Sequence, residues 1–384
     1  MKQYILRKPE QRPEAKPRKL LKAKAPGKAP TQLAEIIKIG VDVGLNKYAY
    51  SRQVDGSGQE PPHLCSPEEF REYAVAQKGW AKRVVVCYEA GLFGFELARW
   101  LQDNEVECLV MSPVKLDEGN KRVETDKLNA RDIGSRLDRY LAGNTRALQV
   151  CRIPSRAEEL ARHQTRQRQQ LLDHRKALEA QGRSLLWEFG YLEEGKHCWW
   201  REGSWELLVE SLEQTIQSRL ARLRSVILQI NKEIKAVEEE LSKQAGEGMP
   251  EGLKKLPTGM GWLSVWVVLR EFMDPKRFRN RRQVGCFTGL VPSEASTGES
   301  FRQGSVTKVG NPVVRAILVE MAWRLVRYQP NCRAIKPRLR VLKDRKAGPR
   351  ARKKAIVAAA RVLAVDLWRL ATGQTTVENL GFAV

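Results

Sequence analysis

The chain has 384 residues, 42% of them hydrophobic, and a formal net charge of +23. That length supports a large core in about two or three domains, and the hydrophobic share excludes global disorder. So positive a balance points to a polyanionic partner, nucleic acid first.

Residues 1–34, rich in Pro, Lys, Arg and Ala, read as a basic disordered tail. Residues 35–150 then alternate strand and helix patterns. Ile36–Val43 is a buried strand, Tyr48–Val54 its hairpin partner around Asn46-Lys47, and Asp55-Gly-Ser-Gly a break. Pro67–Gln77 reads as helix, Val84–Tyr88 as strand, Phe93–Asn104 as amphipathic helix, Glu107–Met111 as strand, and 126–142 as helix. This order predicts an α/β layer with a central sheet.

Residues 151–248 change character. Ser155–Trp187 is a long polar helix and Ser204–Gln244 a second one. In the second, Ile216, Leu220, Leu223, Ile227, Ile230, Ile234, Val237 and Leu241 alternate spacings of four and three, and Val209 and Leu212 extend the seam backward. That is a coiled-coil pattern, which pairs either with the preceding helix, as an intrachain hairpin that also assists dimerisation, or with another subunit; the hairpin is the expected form. Gly246-Glu-Gly-Met-Pro-Glu-Gly reads as a flexible break before a mainly helical domain over 249–332. A basic segment and C-terminal helix fill 333–384, giving α/β plus all-α overall.

Ten Lys/Arg face two Glu in residues 1–28, and eleven face one Asp in 333–354. The first run serves either as a solvated tail or as a nucleic-acid arm. The second lies beside a helix-forming segment, Ala355 to Leu370, and is read as phosphate-binding. Seven Cys without a CxxC pair exclude a disulfide frame and a zinc ribbon and fit reduced thiols in a cytosol. No run of about 18 apolar residues suggests a membrane span.

Three carboxylates end predicted elements: Asp42 after one strand, Glu89 after another, Asp126 at a helix start. Such groups either cap helices or hold Mg²⁺, which takes hard oxygen ligands and offsets charge on a scissile phosphate. Asn129, three residues past Asp126, offers a neutral carbonyl oxygen; Asp132 is poorly spaced to substitute. Further on, Leu256-Pro-Thr-Gly259-Met-Gly261 resembles a helix-hairpin-helix turn whose free N–H groups face DNA phosphate, or else simply starts a helix. The hydroxyl-rich stretch Pro292-Ser-Glu-Ala-Ser296-Thr297-Gly298-Glu-Ser300 is either a surface loop with Ser/Thr turns or the carrier of a nucleophile, with Lys308, Asn311 and Arg315 near the phosphate. His163 and His174 lie in the long helix, away from that loop.

Taken in order, Val41-Asp42-Val-Gly, Tyr88-Glu89-Ala-Gly, Thr125-Asp126-Lys-Leu-Asn129-Ala, Leu256-Pro-Thr-Gly-Met-Gly, Gly289-Leu-Val-Pro292, Ser-Thr-Gly298 and Thr307-Lys308-Val-Gly310-Asn311-Pro-Val-Val-Arg315 resemble the DEDD transposases of the insertion-sequence-110 class over residues 36–330. The resemblance implies a RuvC/RNase H-like domain bearing Asp, Glu, Asp and Asp, a linking coiled coil, and a C-terminal transposase domain with a catalytic serine. It implies Mg²⁺ as cofactor, and donor and target DNA and a structured noncoding bridge RNA as partners. A homodimer assembling to a tetramer in the prokaryotic cytosol follows in the same way. Asp42, Glu89 and Asp126 match the first three metal ligands, and Asn129 stands where the family has its last Asp. The family's Ser-Gly is here Ser296-Thr297-Gly298: Thr297 holds the serine's spacing, while Ser296 is the unhindered hydroxyl.

Overall fold

The computed structural model describes residues 32–113, 125–191, 198–294, 303–344 and 346–383. The chain divides into two compact units between Pro154 and Ser155.

The first unit is built on β1 (Ala34–Val43), buried without interruption from Ile37 to Val41. β2 (Tyr48–Val54) runs antiparallel beside it and continues to β3 (His63–Cys65). On the other side β4 (Ala81–Glu89) and β5 (Glu107–Met111) are parallel to β1, and β6 (Val150–Cys151) closes the edge antiparallel. The order is β3-β2-β1-β4-β5-β6. Near-continuous apolar runs in β1 and β4 are what a sheet covered on both faces requires. One face packs Ile37, Ile39, Val41, Val86 and Tyr88 with residues of α1 (Pro67–Ala76) and α2 (Glu96–Asp103). The other packs Val85 and Cys87 against Ile133 and Leu137 of α3 (Asp126–Leu141). Two short strands, β3 and β6, escaped the sequence reading because three and two residues carry no period.

The second unit opens with α4 (Arg156–Glu188), α5 (Ser204–Val209) and α6 (Gln214–Gly248). α4 and α6 pair antiparallel within one chain, with Arg168 against Glu238 and Arg175 donating to Asn231 Oδ1 at 3.0 Å. Ile216, Leu220, Ile227, Ile234, Val237 and Leu241 of the seam are buried, Leu223 and Ile230 partly so. Near the tip Trp199 lies against Gly182, where a Cβ would come within 2.1 Å of the indole.

Two expectations for this segment change. The helix expected over Ser204–Gln244 is broken after Val209, so Val209 is not on the α6 seam, and Leu212 instead packs with Trp199 and Leu186. The break expected at Gly246 is absent: α6 runs on to Gly248 because Ala245 and Met249 enter the core of the C-terminal helices. Gly248 serves close packing there, since a Cβ would lie 2.9 Å from the Trp266 ring.

α7 (Trp262–Phe272), α8 (Arg281–Thr288), α9 (Pro312–Tyr328), α10 (Leu339–Lys343) and α11 (Pro349–Ala371) complete the unit. Their core joins Val265 and Phe272 to Leu318, Met321, Leu363 and Leu367. Between α8 and α9 a hairpin of β7 (Pro292–Glu294) and β8 (Gln303–Val306) projects.

Candidate nucleic-acid processing sites

In the first unit the site is set by register. Val41 pairs with Tyr88 across the parallel β1–β4 ladder, so Asp42 and Glu89 follow side by side at the strands' C-terminal ends. Side chains alternate along a strand, which puts both on the face of Gly40 and Cys87, the face that α3 covers. In open α/β sheets this end of the strands is where ligands bind.

Gly40 decides how near α3 comes. A Cβ there would stand 2.2 Å from the Gly134 nitrogen and 2.4 Å from the Ala130 carbonyl oxygen. With no side chain at 40, α3 lies directly on β1, and buried Lys38 fixes its far end through a 2.5 Å pair with Asp138. At the near end Thr125 caps the helix by accepting from the Leu128 N–H. One turn in, Asn129 Nδ2 donates to Asp42 Oδ2 at 3.1 Å.

Desolvation raises the pKa of Asp42, the Asn129 hydrogen bond lowers it, and the nearby Asp126 charge raises it. Its charged form is thus short of compensation, the condition a bound cation relieves. Asp126 and Asp132 are exposed on α3. Among the described residues no three His, Cys, Asp or Glu side chains stand close enough to hold a metal. Mg²⁺, however, commonly keeps several waters and binds one or two carboxylates plus a substrate phosphate. Asp42 and Glu89, on adjacent strand ends, are two carboxylates of the kind such a site uses.

In the second unit Ser296 and Thr297 fall in the β7–β8 connection, outside the described residues, but the base of that hairpin is fully defined. Gly289 (φ +65°), Lys308 (φ +55°) and Gly310 (φ +147°) turn the chain back onto the end of α8. A Cβ at Gly310 would stand 2.6 Å from the Gly289 nitrogen and the Phe287 carbonyl oxygen, so only glycine allows that approach. Thr307, Lys308 and Asn311 donate their N–H groups to Val291, Gly289 and Phe287. Arg315 Nη1 donates to the Thr288 and Lys308 carbonyls. Asn311 caps α9, its Oδ1 accepting from Val313 and Val314, while its Nδ2 donates to Glu271 Oε2 at 2.6 Å. Arg315 and Asn311 therefore build the turn, and Lys308 is exposed beside it.

Glu271 was missed by sequence reasoning. Fully buried, it takes two hydrogen bonds from Arg166, at 2.8 and 3.0 Å, besides that from Asn311. The available signal was a single carboxylate in the apolar run Trp262–Phe272. At the start of α7, Gly261 is an N-cap without a side chain, and Gly259 (φ +97°) packs against Tyr328. The N–H groups expected to face phosphate belong to this turn.

Residues 253–336, which include that turn and the hairpin, match the family model for the Transposase IS116/IS110/IS902 family. Similarity extends beyond them. The putative transposase y4rJ of Sinorhizobium fredii is 29% identical over 342 residues, covering 81% of this chain and 83% of that protein. The transposase for insertion sequence element IS1111A of Coxiella burnetii is 30% identical over 214 residues, 54% of this chain and 57% of that protein. The transposase for insertion sequence element IS1533 of Leptospira borgpetersenii is 23% identical over 312 residues, 75% and 86% respectively. Residues 253–336 thus carry the domain of the IS116/IS110/IS902 transposase family, and the chain is similar to transposases along most of its length.

Proposed function

We propose that the chain is an RNA-guided DNA recombinase that excises and inserts its own element, using a Mg²⁺-dependent acidic site and a hydroxyl nucleophile. The observation that carries the acidic site is the side-by-side placement of Asp42 and Glu89 on parallel strands with Asn129 hydrogen-bonded to Asp42. The strand order, with β1, β2 and β3 successively antiparallel on one side and β4 and β5 parallel to β1 before antiparallel β6 on the other, supports a RuvC/RNase H-like reading of this unit.

Asp42, Glu89, Asp126 and Asn129 would hold the ion, which when bound supplies charge to neutralise the scissile phosphate. The chain's own work is positioning. Asn129 holds the Asp42 carboxylate in one orientation, and the Gly40 contact fixes the helix that carries Asn129. The nucleophile is Ser296 or Thr297, on the connection whose base Arg315, Asn311 and Glu271 clamp. Its oxygen bonds to phosphorus as the bond to the leaving strand's oxygen breaks; the hydroxyl proton ends on the leaving oxygen or solvent. Base pairing with a bridge RNA supplies sequence choice, so the protein contributes cations more than base-reading groups.

A denaturing gel tests this reading. Protein, RNA transcribed from the flanking DNA, Mg²⁺ and end-labelled donor DNA are combined, with Ser296→Ala and Thr297→Ala in parallel. The expected result is a covalent protein–DNA band lost in one variant. Cleavage without a band would instead mean hydrolysis by activated water; binding without cleavage would mean a catalytically impaired relative.

A further inference from the structure

We propose that the outer arc of α9, flanked by the starts of α7 and α11, is a stacking surface for single-stranded DNA. At 3.6 residues per turn, positions 323, 327, 324 and 328 fall within an arc of about 140°. They are Trp323, Arg327, Arg324 and Tyr328. Trp323 is 38% exposed and Tyr328 47%, unusual for aromatic side chains on a helix whose other face enters the main core. Each has a guanidinium over its ring: Arg352 of α11 lies 5.6 Å from the Trp323 centroid and Arg327 lies 5.3 Å from that of Tyr328. Arg324 Nη2 donates to Ser264 Oγ at 3.0 Å, which ties the arc to the first turn of α7. Trp262, 37% exposed, stands at that turn.

Exposed rings interleaved with cations have one economical occupant. Unpaired bases present π-faces for stacking and carry a phosphate at each step, whereas a duplex keeps its faces inside. An apolar protein partner would have to strip these guanidinium groups of water. The charge nearby also favours polyanion: residues 333–354, which run into α11, hold eleven Lys/Arg against one Asp, and Glu320 is the one carboxylate on the arc. DNA is chosen over RNA because the proposed activity is on DNA, where an end freed by cutting frays and bares its bases. The inference rests on that activity on DNA but not on the acidic site or the nucleophile.

The test is a binding assay on the full chain without Mg²⁺ or guide RNA, so failure of the catalytic reading leaves it interpretable. Anisotropy of a labelled oligo(dT) is compared with that of a duplex and an oligo(rU) of equal length. Trp323→Ala and Tyr328→Ala should each weaken oligo(dT) binding about 5- to 100-fold, the worth of one stacked base, and change duplex binding less than about twofold. Trp323→Tyr should largely restore it. Equal losses on duplex and single strand, or none on either, overturn the proposal, as does tighter binding of oligo(rU). Should the alanine variants fail to fold, photocrosslinking of a bromodeoxyuridine oligonucleotide to the wild-type protein decides: adducts on Trp323 or Tyr328 are expected, and adducts only elsewhere overturn it.

Discussion

Replacing Asn129 with aspartate restores the carboxylate of the family pattern and probes the acidic site directly. In the native chain Asn129 Nδ2 donates to Asp42 Oδ2 at 3.1 Å. Aspartate removes that donor, worth about 1 kcal/mol, and sets two carboxylates face to face. At about 3 Å their repulsion is near 5 kcal/mol for an effective dielectric of about 20 and near 1 in bulk water. Asp42 is only partly buried, so screening leaves about 2 kcal/mol. Asn129→Asp should therefore cost about 3 kcal/mol at pH 7 in EDTA, read by urea unfolding. The sign with pH follows from Asp42, whose pKa is already raised and rises further in the variant. The penalty is full above that pKa and fades as pH falls through it and one carboxyl takes a proton. Added Mg²⁺ should reverse the order, since a cation shares the extra charge, and tighten apparent Mg²⁺ affinity about tenfold or more. A variant as stable as wild type in EDTA, with an unchanged Mg²⁺ response, would mean that residue 129 does not face Asp42 at a cation site.

Gly40→Ala should destabilise the first unit by roughly 3 kcal/mol and abolish DNA cleavage, because the new methyl meets α3 backbone and pushes Asn129 off Asp42; urea unfolding and the donor-DNA gel read both effects. Glu271→Gln should cost about 2 kcal/mol, discounted for the exposed side of Arg166, and speed amide exchange at Thr307 and Asn311 as the clamp on the hairpin loosens. Asp366 is buried, with Arg333 bonded to one carboxylate oxygen, and burial lifts its pKa to about 6 from 3.8. A carboxyl raised in the fold is destabilising when charged, so its cost is absent below pH 4 and complete above pH 6. Relative to Asp366→Asn, wild type should gain about 2 kcal/mol between pH 7 and 4 in urea unfolding. No relative gain would place that proton elsewhere.

The alternation of elements in the first unit is legible in the sequence, because apolar runs in β1, β4 and β5 and a 3.6-residue period in α3 are local signals. So are the helical seam of α6 and the placement of Asp42, Glu89 and Asp126 at element ends. Which of those positions meet depends on contacts distant in sequence. The strand register sets Asp42 beside Glu89, and a single missing methyl at Gly40 lets Asn129 reach Asp42. Such contacts likewise turn Asn311 and Arg315 inward as builders of the hairpin base, through partners 40 residues away for Asn311 and 27 for one Arg315 bond. The continuation of α6 through Gly246 and Gly248 has the same cause. Glycine breaks helices where solvent is the alternative, but here the alternative was an unfilled core around Ala245, Met249 and Trp266. Local propensity is weaker than that burial by a kilocalorie or more per side chain, so contacts distant in sequence prevail.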